Sequence, residues 1–316
     1  MYTTEDLHGV NVMMPAFATE NAGDILSTST IHVDHLRAGV NRIIQDGIHV
    51  MCTTATSGEC HTLLLNEFET LARAAIEAVN QRVPLFLGCT SVHTRETIQK
   101  MRIVRDAGGE GVLVGVPYYF SLSVDNVIRF YNGIAEAFPD LSIMIYHNPL
   151  NHRVHIPVSA FRKITQSPNI IGMKDSHRTT QEFMKLMDVV RGKMRVFVAQ
   201  SQIYPYGQLG AAGCWSIDAW MGPWPLLRLW RAVQEGDVET ARELAAQIPG
   251  GSGGPPVEGG GMKLAMKYAG YCDPGPNRPP FLVDPPGVEE AARRKATQWQ
   301  ELCARYRPQM EPVGAV

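Results

Sequence analysis

The stretch IIGMKDS, residues 170–176, decides how the chain folds. It opens with a short, uninterrupted apolar run, which is typical of a strand buried on both faces of a parallel sheet. Lys174 and Asp175 close this run, although lysine is among the residues least often fully buried. The stretch therefore predicts a core strand that ends in an amine, and this amine needs an explanation.

Seven further runs share this apolar, strand-like character. They are residues 9–17, 48–54, 83–89, 111–117, 141–148, 195–200 and 213–218. Helix-like segments separate them, and in residues 125–138 the apolar side chains recur at three- and four-residue steps, as on one face of a helix. Eight β/α units of this size predict a (β/α)8 barrel.

A doubly wound open sheet is the alternative fold, and it would carry a glycine-rich phosphate turn after an early strand. No such turn follows 9–17 or 48–54, so the barrel is favoured. We predict a barrel core over 1–222, and over 223–316 the last barrel helix followed by a C-terminal helical extension. The glycine-rich segment 248–261 lacks a Gly-Lys-Ser/Thr continuation, so it is interpreted as a connection rather than a phosphate loop.

The composition indicates what kind of molecule the protein binds. The chain has 316 residues, of which 45% are hydrophobic and 19% charged, with a formal net charge of −2. This balance allows a large core and favours a small-molecule substrate, with no nucleic-acid and no membrane partner. The N-terminus lacks a signal-peptide pattern and the cysteines lack a CxxC pair, so we expect a cytoplasmic protein with Cys52, Cys89 and Cys214 in its core.

Function in a (β/α)8 barrel collects at the C-terminal ends of the strands. Four predicted ends carry reactive or polar groups: TTATSGE (53–59), PYYF (117–120), YHNP (146–149) and KDS (174–176). Burial would lower the pKa of the Lys174 amine, and a neutral amine can form a Schiff base with a ketone. A structural ion pair between Lys174 and Asp175 is the alternative, although adjacent strand residues point to opposite faces.

The neighbouring motifs leave alternatives open as well. Tyr146 suits proton transfer or simple core packing. The TSGE turn, residues 56–59, offers N–H and hydroxyl groups to a carboxylate, but many ordinary loops have a similar sequence. A metal-dependent aldolase would need three ligands, and of His147, His152 and His155 the last two fall beyond the strand end.

Taken together, the motifs resemble the dihydrodipicolinate synthase/N-acetylneuraminate lyase family of class I pyruvate aldolases, over residues 8–310. The matching motifs are TATSGE (54–59), YHNP (146–149) and GMK (172–174). The resemblance implies that Lys174 forms a covalent Schiff base with the keto carbon of pyruvate, with no cofactor and no metal. It also implies that Tyr146 relays protons, and that Thr56 and Ser57 hold the pyruvate carboxylate.

The resemblance also implies that Tyr119 matches a tyrosine that the synthases use in a proton relay across a dimer contact. Family members are commonly homotetramers.

Differences within the family indicate which branch this sequence resembles. Asn151 stands where the synthases carry a carboxylate-binding arginine, which disfavours a semialdehyde substrate. The pattern is similar to that of the hydratase-aldolases, in which Asn148, Trp215 and Asn277 match active-site positions. The flat apolar ring of a tryptophan also suits an aromatic substrate better than a polyol.

The hydratase-aldolase branch cleaves a hydroxy- or carboxy-substituted benzylidenepyruvate to an aromatic aldehyde and pyruvate during the degradation of polycyclic aromatic hydrocarbons. The alternative is an aldolase, lyase or synthase of the same family that acts on an aliphatic or sugar-derived 2-keto acid. A non-catalytic keto-acid sensor is disfavoured because both Lys174 and Tyr146 are present. A carboxylate on the ring would need a cation nearby, and the candidates are His147, His152, Arg153 and Arg278.

Overall fold

Eight parallel strands close into one barrel, in the order in which they occur along the chain. The computed structural model describes residues 1–248 and 260–310. The strands are β1 (Gly9–Met13), β2 (Val50–Cys52), β3 (Leu85–Gly88), β4 (Gly111–Val114), β5 (Ser142–His147), β6 (Ile170–Asp175), β7 (Arg195–Ala199) and β8 (Gly213–Ser216). Each strand lies within one of the eight predicted runs, so the (β/α)8 prediction is confirmed.

Helices alternate with the strands and continue after the last one. They are α1 (Val33–Gln45), α2 (Leu65–Val79), α3 (Thr94–Asp106), α4 (Val124–Ala137), α5 (Pro149–His152), α6 (Val158–Ile164), α7 (Thr180–Val190), α8 (Ile203–Tyr206), α9 (Trp224–Glu235), α10 (Val238–Gln247), α11 (Gly260–Ala269) and α12 (Val288–Met310). Helix α4 begins where the Ser123 side chain accepts a hydrogen bond from the Asn126 N–H, and its predicted apolar face is buried. None of the described helices is both long and apolar enough to span a membrane.

Alternate residues of each strand face the inside of the barrel and the surrounding helices. In β2, Val50 and Cys52 pack inside the barrel with Phe86 and Met144, whereas Met51 packs outside against the helices. Because both layers are buried, the strands show apolar runs without alternation. Cys52 and the two other predicted core cysteines are indeed buried, and their thiols are free.

The C-terminal helices fold back onto the barrel. Helix α12 packs against α9 and α11, and the Trp299 indole N–H donates to the Gly222 carbonyl at 2.9 Å. The loop between α11 and α12 also returns to the barrel, since its Pro274 carbonyl accepts the Ala18 N–H at 2.9 Å. The domain division at residue 222 stays a prediction. Most of the glycine-rich segment 248–261 lies outside the described residues.

Candidate active site

The side chains of Tyr146 and Lys174 lie side by side inside the barrel. The two residues are register partners on β5 and β6. Tyr146 belongs to the inner apolar cluster, and Gly172, two residues before Lys174, faces Met144 of the same cluster. The Lys174 Nζ lies 5.4 Å from the centroid of the Tyr146 ring. An amine and a phenol thus lie next to each other inside the barrel, at the C-terminal ends of two strands.

Burial changes the protonation of the Lys174 amine. The residue is 8% exposed. The loss of hydration lowers the pKa of the Lys174 ammonium to about 8, and the charge of Asp175 opposes this shift only in part. A substantial fraction of the amine is therefore neutral near pH 8, and the neutral form is the one that attacks a ketone.

Asp175, the next residue, is held on the opposite face of β6. The Arg178 Nε donates to its Oδ2 at 2.6 Å, and the His147 Nδ1 lies 3.0 Å from its Oδ1. Burial alone would raise the pKa of the Asp175 carboxyl, but these neighbours lower it to about 2. Asp175 therefore has its own cation, and it does not need Lys174 as a structural partner.

Polar side chains converge on the Tyr146 hydroxyl. The Thr56 Oγ1 lies 3.0 Å from this oxygen, and the Asn148 Nδ2 donates to it at 3.2 Å. The Asn151 Nδ2 in turn donates to the Thr56 Oγ1 at 3.3 Å. Burial raises the pKa of Tyr146, and its bonds to Thr56 and Asn148 partly offset the shift. The phenol thus keeps its proton while touching a second hydroxyl to which it can pass one.

Two rings enclose Tyr146. Trp215 on β8 stacks on the tyrosine ring with the centroids 5.7 Å apart and the planes inclined by 19°. His152 on α5 packs edge-on against it at 5.3 Å. His152 fits there because residue 115 is a glycine; the Cβ of any other residue at this position would overlap the imidazole. Burial lowers the pKa of His152 to about 4, so the wall that the two rings form is uncharged at neutral pH.

The remaining predicted site residues differ in where they lie. Ser57 shares the short 3-10 turn Thr56–Gly58 after β2 and is half-buried. Asn277 is half-buried in the loop between α11 and α12, with its Oδ1 buried. Tyr119 is 66% exposed and its ring contacts Phe120 at 4.9 Å. Tyr119 therefore lies outside the hydrogen-bonded group around Tyr146.

Asn151 and His152 contribute to the site in ways that the sequence does not predict. For Asn151 the sequence shows only a departure from the synthases, although its position five residues after Tyr146 is itself a signal that it belongs to the site. The sequence offers His152 as a metal ligand or as a cation for a ring carboxylate, whereas in the structure it packs edge-on against Tyr146; the His147 ring instead contacts the His155 ring edge-on, with the centroids 5.1 Å apart. Within the described residues, no group of three or more His, Cys, Asp or Glu side chains is arranged to hold a metal.

The four cation candidates for a ring carboxylate are in different environments. His147 lies behind the sheet beside Asp175, and His152 is neutral. Arg278 is 2% exposed and its Nη1 donates to the Glu59 carboxylate at 2.8 Å. Of the four, Arg153 alone is both charged and exposed.

The fold and the site define a class: a (β/α)8-barrel enzyme with its polar groups at the carboxyl ends of the strands. A sequence profile of the Dihydrodipicolinate synthetase family matches residues 25–281. The chain therefore belongs to this family, and it is an enzyme of the carbon–carbon lyase class.

Individual relatives locate the chain within the family. The trans-O-hydroxybenzylidenepyruvate hydratase-aldolase of Sphingobium xenophagum is 28% identical over an alignment of 315 positions, and the alignment covers 94% of this chain and 95% of that one. The 4-hydroxy-tetrahydrodipicolinate synthase of Thermus thermophilus is 29% identical over 271 residues, covering 84% and 89%. A solved structure of PhdJ bound to a substrate intermediate is 25% identical, with a TM-score of 0.91 and coverage of 96% and 99%. The resemblance to hydratase-aldolases is confirmed, while sequence identity by itself does not separate the two activities.

Proposed function

We propose that this chain is a Schiff-base hydratase-aldolase that cleaves a hydroxy- or carboxy-substituted benzylidenepyruvate to an aromatic aldehyde and pyruvate, in the degradation of polycyclic aromatic hydrocarbons. The observation that carries the proposal is the register pair of Tyr146 and Lys174, with Trp215 stacked on the tyrosine. The amine suits the keto-acid half of the substrate, and the indole suits a flat apolar ring. The reaction needs no cofactor because the bond to Lys174 provides the electron sink.

The first covalent step joins the substrate, Ar–CH=CH–CO–COO⁻, to Lys174. The neutral Nζ attacks the ketone carbon, and the resulting carbinolamine takes up one proton and loses one water to give an iminium; this proton is released again when the iminium is finally hydrolysed. The positive nitrogen withdraws electrons through the conjugated double bond, so the benzylic carbon becomes electrophilic. A pKa of about 8 for Lys174 supplies the neutral amine that this step requires.

The second step is the addition of water. The water oxygen bonds to the benzylic carbon, the double-bond electrons move to the iminium nitrogen, and the resulting enamine takes one proton on its carbon in place of the one that the water loses. Asn148 or Asn277 positions this water. The Asn148 Nδ2 lies 3.2 Å from the Tyr146 hydroxyl, so a water bound at that amide would also contact the phenol.

The third step breaks the carbon–carbon bond. Tyr146 accepts the proton of the new hydroxyl while it hands its own towards the Thr56 Oγ1, 3.0 Å away. The aldehyde leaves, and the bonding electron pair moves to the nitrogen as a pyruvate enamine. Return of the proton to the enamine carbon, followed by hydrolysis of the iminium by water, releases pyruvate and the free Lys174 amine.

The turn after β2 is suited to hold the pyruvate carboxylate. The N–H groups of residues 58–60 bond back to carbonyls within the same turn. The hydroxyls and the N–H groups of Thr56 and Ser57 can therefore be directed at a ligand. Thr56 would then contact both the carboxylate and the proton-relay tyrosine.

The alternative substrate is an aliphatic or sugar-derived 2-keto acid. The aromatic wall of Trp215 and the neutral imidazole of His152 favour the aromatic substrate over it. We also expect a homotetramer in the cytoplasm. The exposed rings of Tyr119 and Phe120, 66% and 73% accessible, are suited to a contact between copies.

The proposal is tested by borohydride trapping with pyruvate, followed by intact mass and peptide mapping. We expect a reduced pyruvyl adduct on the Lys174 peptide in the wild type and none in Lys174→Ala. Lys100→Met is the matched control because Lys100 is similarly buried, at 6% exposure, and it should retain the adduct. An adduct on another lysine, or none in the wild type, would contradict the Schiff-base mechanism.

A further inference from the structure

One largely buried carboxylate, that of Glu59, joins the C-terminal extension to the turn after β2. Glu59 follows the Thr56–Gly58 turn directly and has a left-handed backbone, with φ of 57°. Its Oε2 lies 2.7 Å from the Lys263 Nζ and 2.8 Å from the Arg278 Nη1. Lys263 belongs to α11, and Arg278 belongs to the loop between α11 and α12. Both cations therefore reach the turn from the C-terminal part of the chain.

Both cations are themselves firmly held. The Arg278 guanidinium donates to the Thr30 Oγ1 at 2.7 Å, to the Thr30 carbonyl at 2.8 Å and to the Ala16 carbonyl at 3.0 Å. The Lys263 Nζ donates to the Pro276 carbonyl at 2.8 Å. Arg278 is 2% exposed and Lys263 is 7% exposed. Neither cation can follow the carboxylate if the turn moves, so together they fix its position.

The position of Glu59 determines that of the turn. The Glu59 N–H donates to the Thr56 carbonyl at 3.1 Å, so a shift of residue 59 is transmitted to Thr56. The Glu59 side chain is 12% exposed, and a carboxylate at this depth is stable only when it is paired. Removing the Glu59 charge leaves two buried cations without their shared carboxylate, and removing either cation takes away one of the two contacts that hold Glu59, so in each case the turn is free to shift.

We propose that Glu59, Lys263 and Arg278 are positioning residues that hold the Thr56–Gly58 turn in the geometry that binds the carboxylate of pyruvate. This inference rests on the proposed function, in which that turn binds the carboxylate. It gives the C-terminal extension a part in recognition of the keto-acid half of the substrate. It also removes Arg278 from the candidates for binding a ring carboxylate, because its charge is already used by Glu59.

The test measures the pyruvate concentration that half-saturates borohydride trapping at Lys174. Glu59→Gln removes the charge at nearly constant shape, and Lys263→Met removes one cation. Because displacement of a binding group by about 1 Å can cost about 100-fold, we expect half-saturation to rise about 10-fold or more in both variants. Lys295→Met is the matched control: Lys295 also comes from a C-terminal helix and pairs with a buried carboxylate, Asp218 at 2.6 Å, but it does not contact Glu59.

Lys295→Met should keep half-saturation within about twofold of the wild type, even where its melting temperature falls as far as that of Lys263→Met. Should the first two variants fail to fold, Glu59→Asp retains the charge but shortens the side chain, and it should raise half-saturation severalfold. Wild-type half-saturation in the folded Glu59 and Lys263 variants, or an equal rise in Lys295→Met, would overturn the inference alone. Absence of any adduct in the wild type would overturn the proposed function as well.

Discussion

The two faces of the β5–β6 pair carry polar residues in opposite conditions. On the inner face, Tyr146 and Lys174 are register partners, and the amine lies in an apolar interior that lowers its pKa to about 8. On the outer face, one residue further along, His147 and Asp175 are register partners, and the neighbours of the carboxylate lower its pKa to about 2. The outer face thus stabilises a charge and the inner face destabilises one. Because the charged form of Lys174 is destabilised, its neutral amine is available as a nucleophile. Because the charged form of Asp175 is stabilised, it serves as a structural ion-pair partner.

The largest effect is expected on the inner face. Lys174→Met should reduce turnover by more than about 10⁴-fold, as removal of a nucleophile does. The same change should raise the free energy of unfolding at pH 7 by up to about 3 kcal/mol, because a buried ammonium is removed. The sign follows from the lowered pKa of Lys174. The buried ammonium reduces the free energy of unfolding of the wild type below about pH 8, and this loss disappears as the pH rises toward 10.5. Turnover assays measure the loss of activity, and urea unfolding measures the gain in stability. A Lys174→Met variant that is inactive and also less stable than the wild type would contradict the proposed difference between the two faces.

Tyr146→Phe should separate the two members of the inner pair. The amine remains, so the pyruvate adduct should still be trapped at Lys174. Loss of proton transfer should lower turnover of a benzylidenepyruvate by about 10²- to 10⁴-fold. Borohydride trapping measures the adduct, and single-turnover kinetics with product analysis measures the turnover. Loss of the adduct in Tyr146→Phe would show that the tyrosine instead supports the lysine structurally.

The outer face should respond in the opposite manner. Asp175→Asn leaves Arg178 buried without its carboxylate, so we expect the free energy of unfolding to fall by about 3–5 kcal/mol. Turnover of the folded variant should stay within about tenfold of the wild type, because removal of a group that takes no part in the reaction changes turnover only modestly. Because the folded pKa of Asp175 is lowered, its contribution to wild-type stability should be present above pH 3.8 and lost as the pH falls towards 2. A stable but inactive variant would place Asp175 in the reaction.

The smallest effect concerns the aromatic wall. Trp215→Leu keeps an apolar side chain but removes the stacking surface, which is worth about 0.5–1.5 kcal/mol. We therefore expect the preference in kcat/KM for a benzylidenepyruvate over an aliphatic keto-acid aldol to fall by about 3- to 10-fold. Equal or better turnover of the aliphatic compound by the wild type would contradict the choice of an aromatic substrate.

Much of this arrangement could be predicted from the order of residues along the strands. The period of two in a strand places Lys174 inside and Asp175 outside whatever the surrounding loops do. The ends of the strands were less predictable. Of the run 48–54, only Val50–Cys52 form a strand, and the left-handed backbone of Thr54, with φ of 43°, ends the extended conformation soon after it.

The contributions of loops could not be predicted because they depend on contacts between distant parts of the chain. Asn151 reaches Thr56 through the direction of the short helix α5, and His152 needs the space that Gly115 leaves just after β4. The pairing of Glu59 with Arg278 spans 219 residues. No local pattern in the sequence encodes such a contact, since it arises only when the C-terminal loop folds back over the barrel.

The most direct test of the account is the pKa of the Lys174 amine in the free enzyme. Carbon-13 labelling of the lysine Cε positions, with Lys174→Met to assign the signal, gives this pKa from an NMR titration. The account predicts a midpoint near pH 8, well apart from the exposed lysines. A midpoint near the ordinary lysine value of about 10.4 would show that the barrel interior does not hold a neutral amine, and the distinction between the two faces would fail.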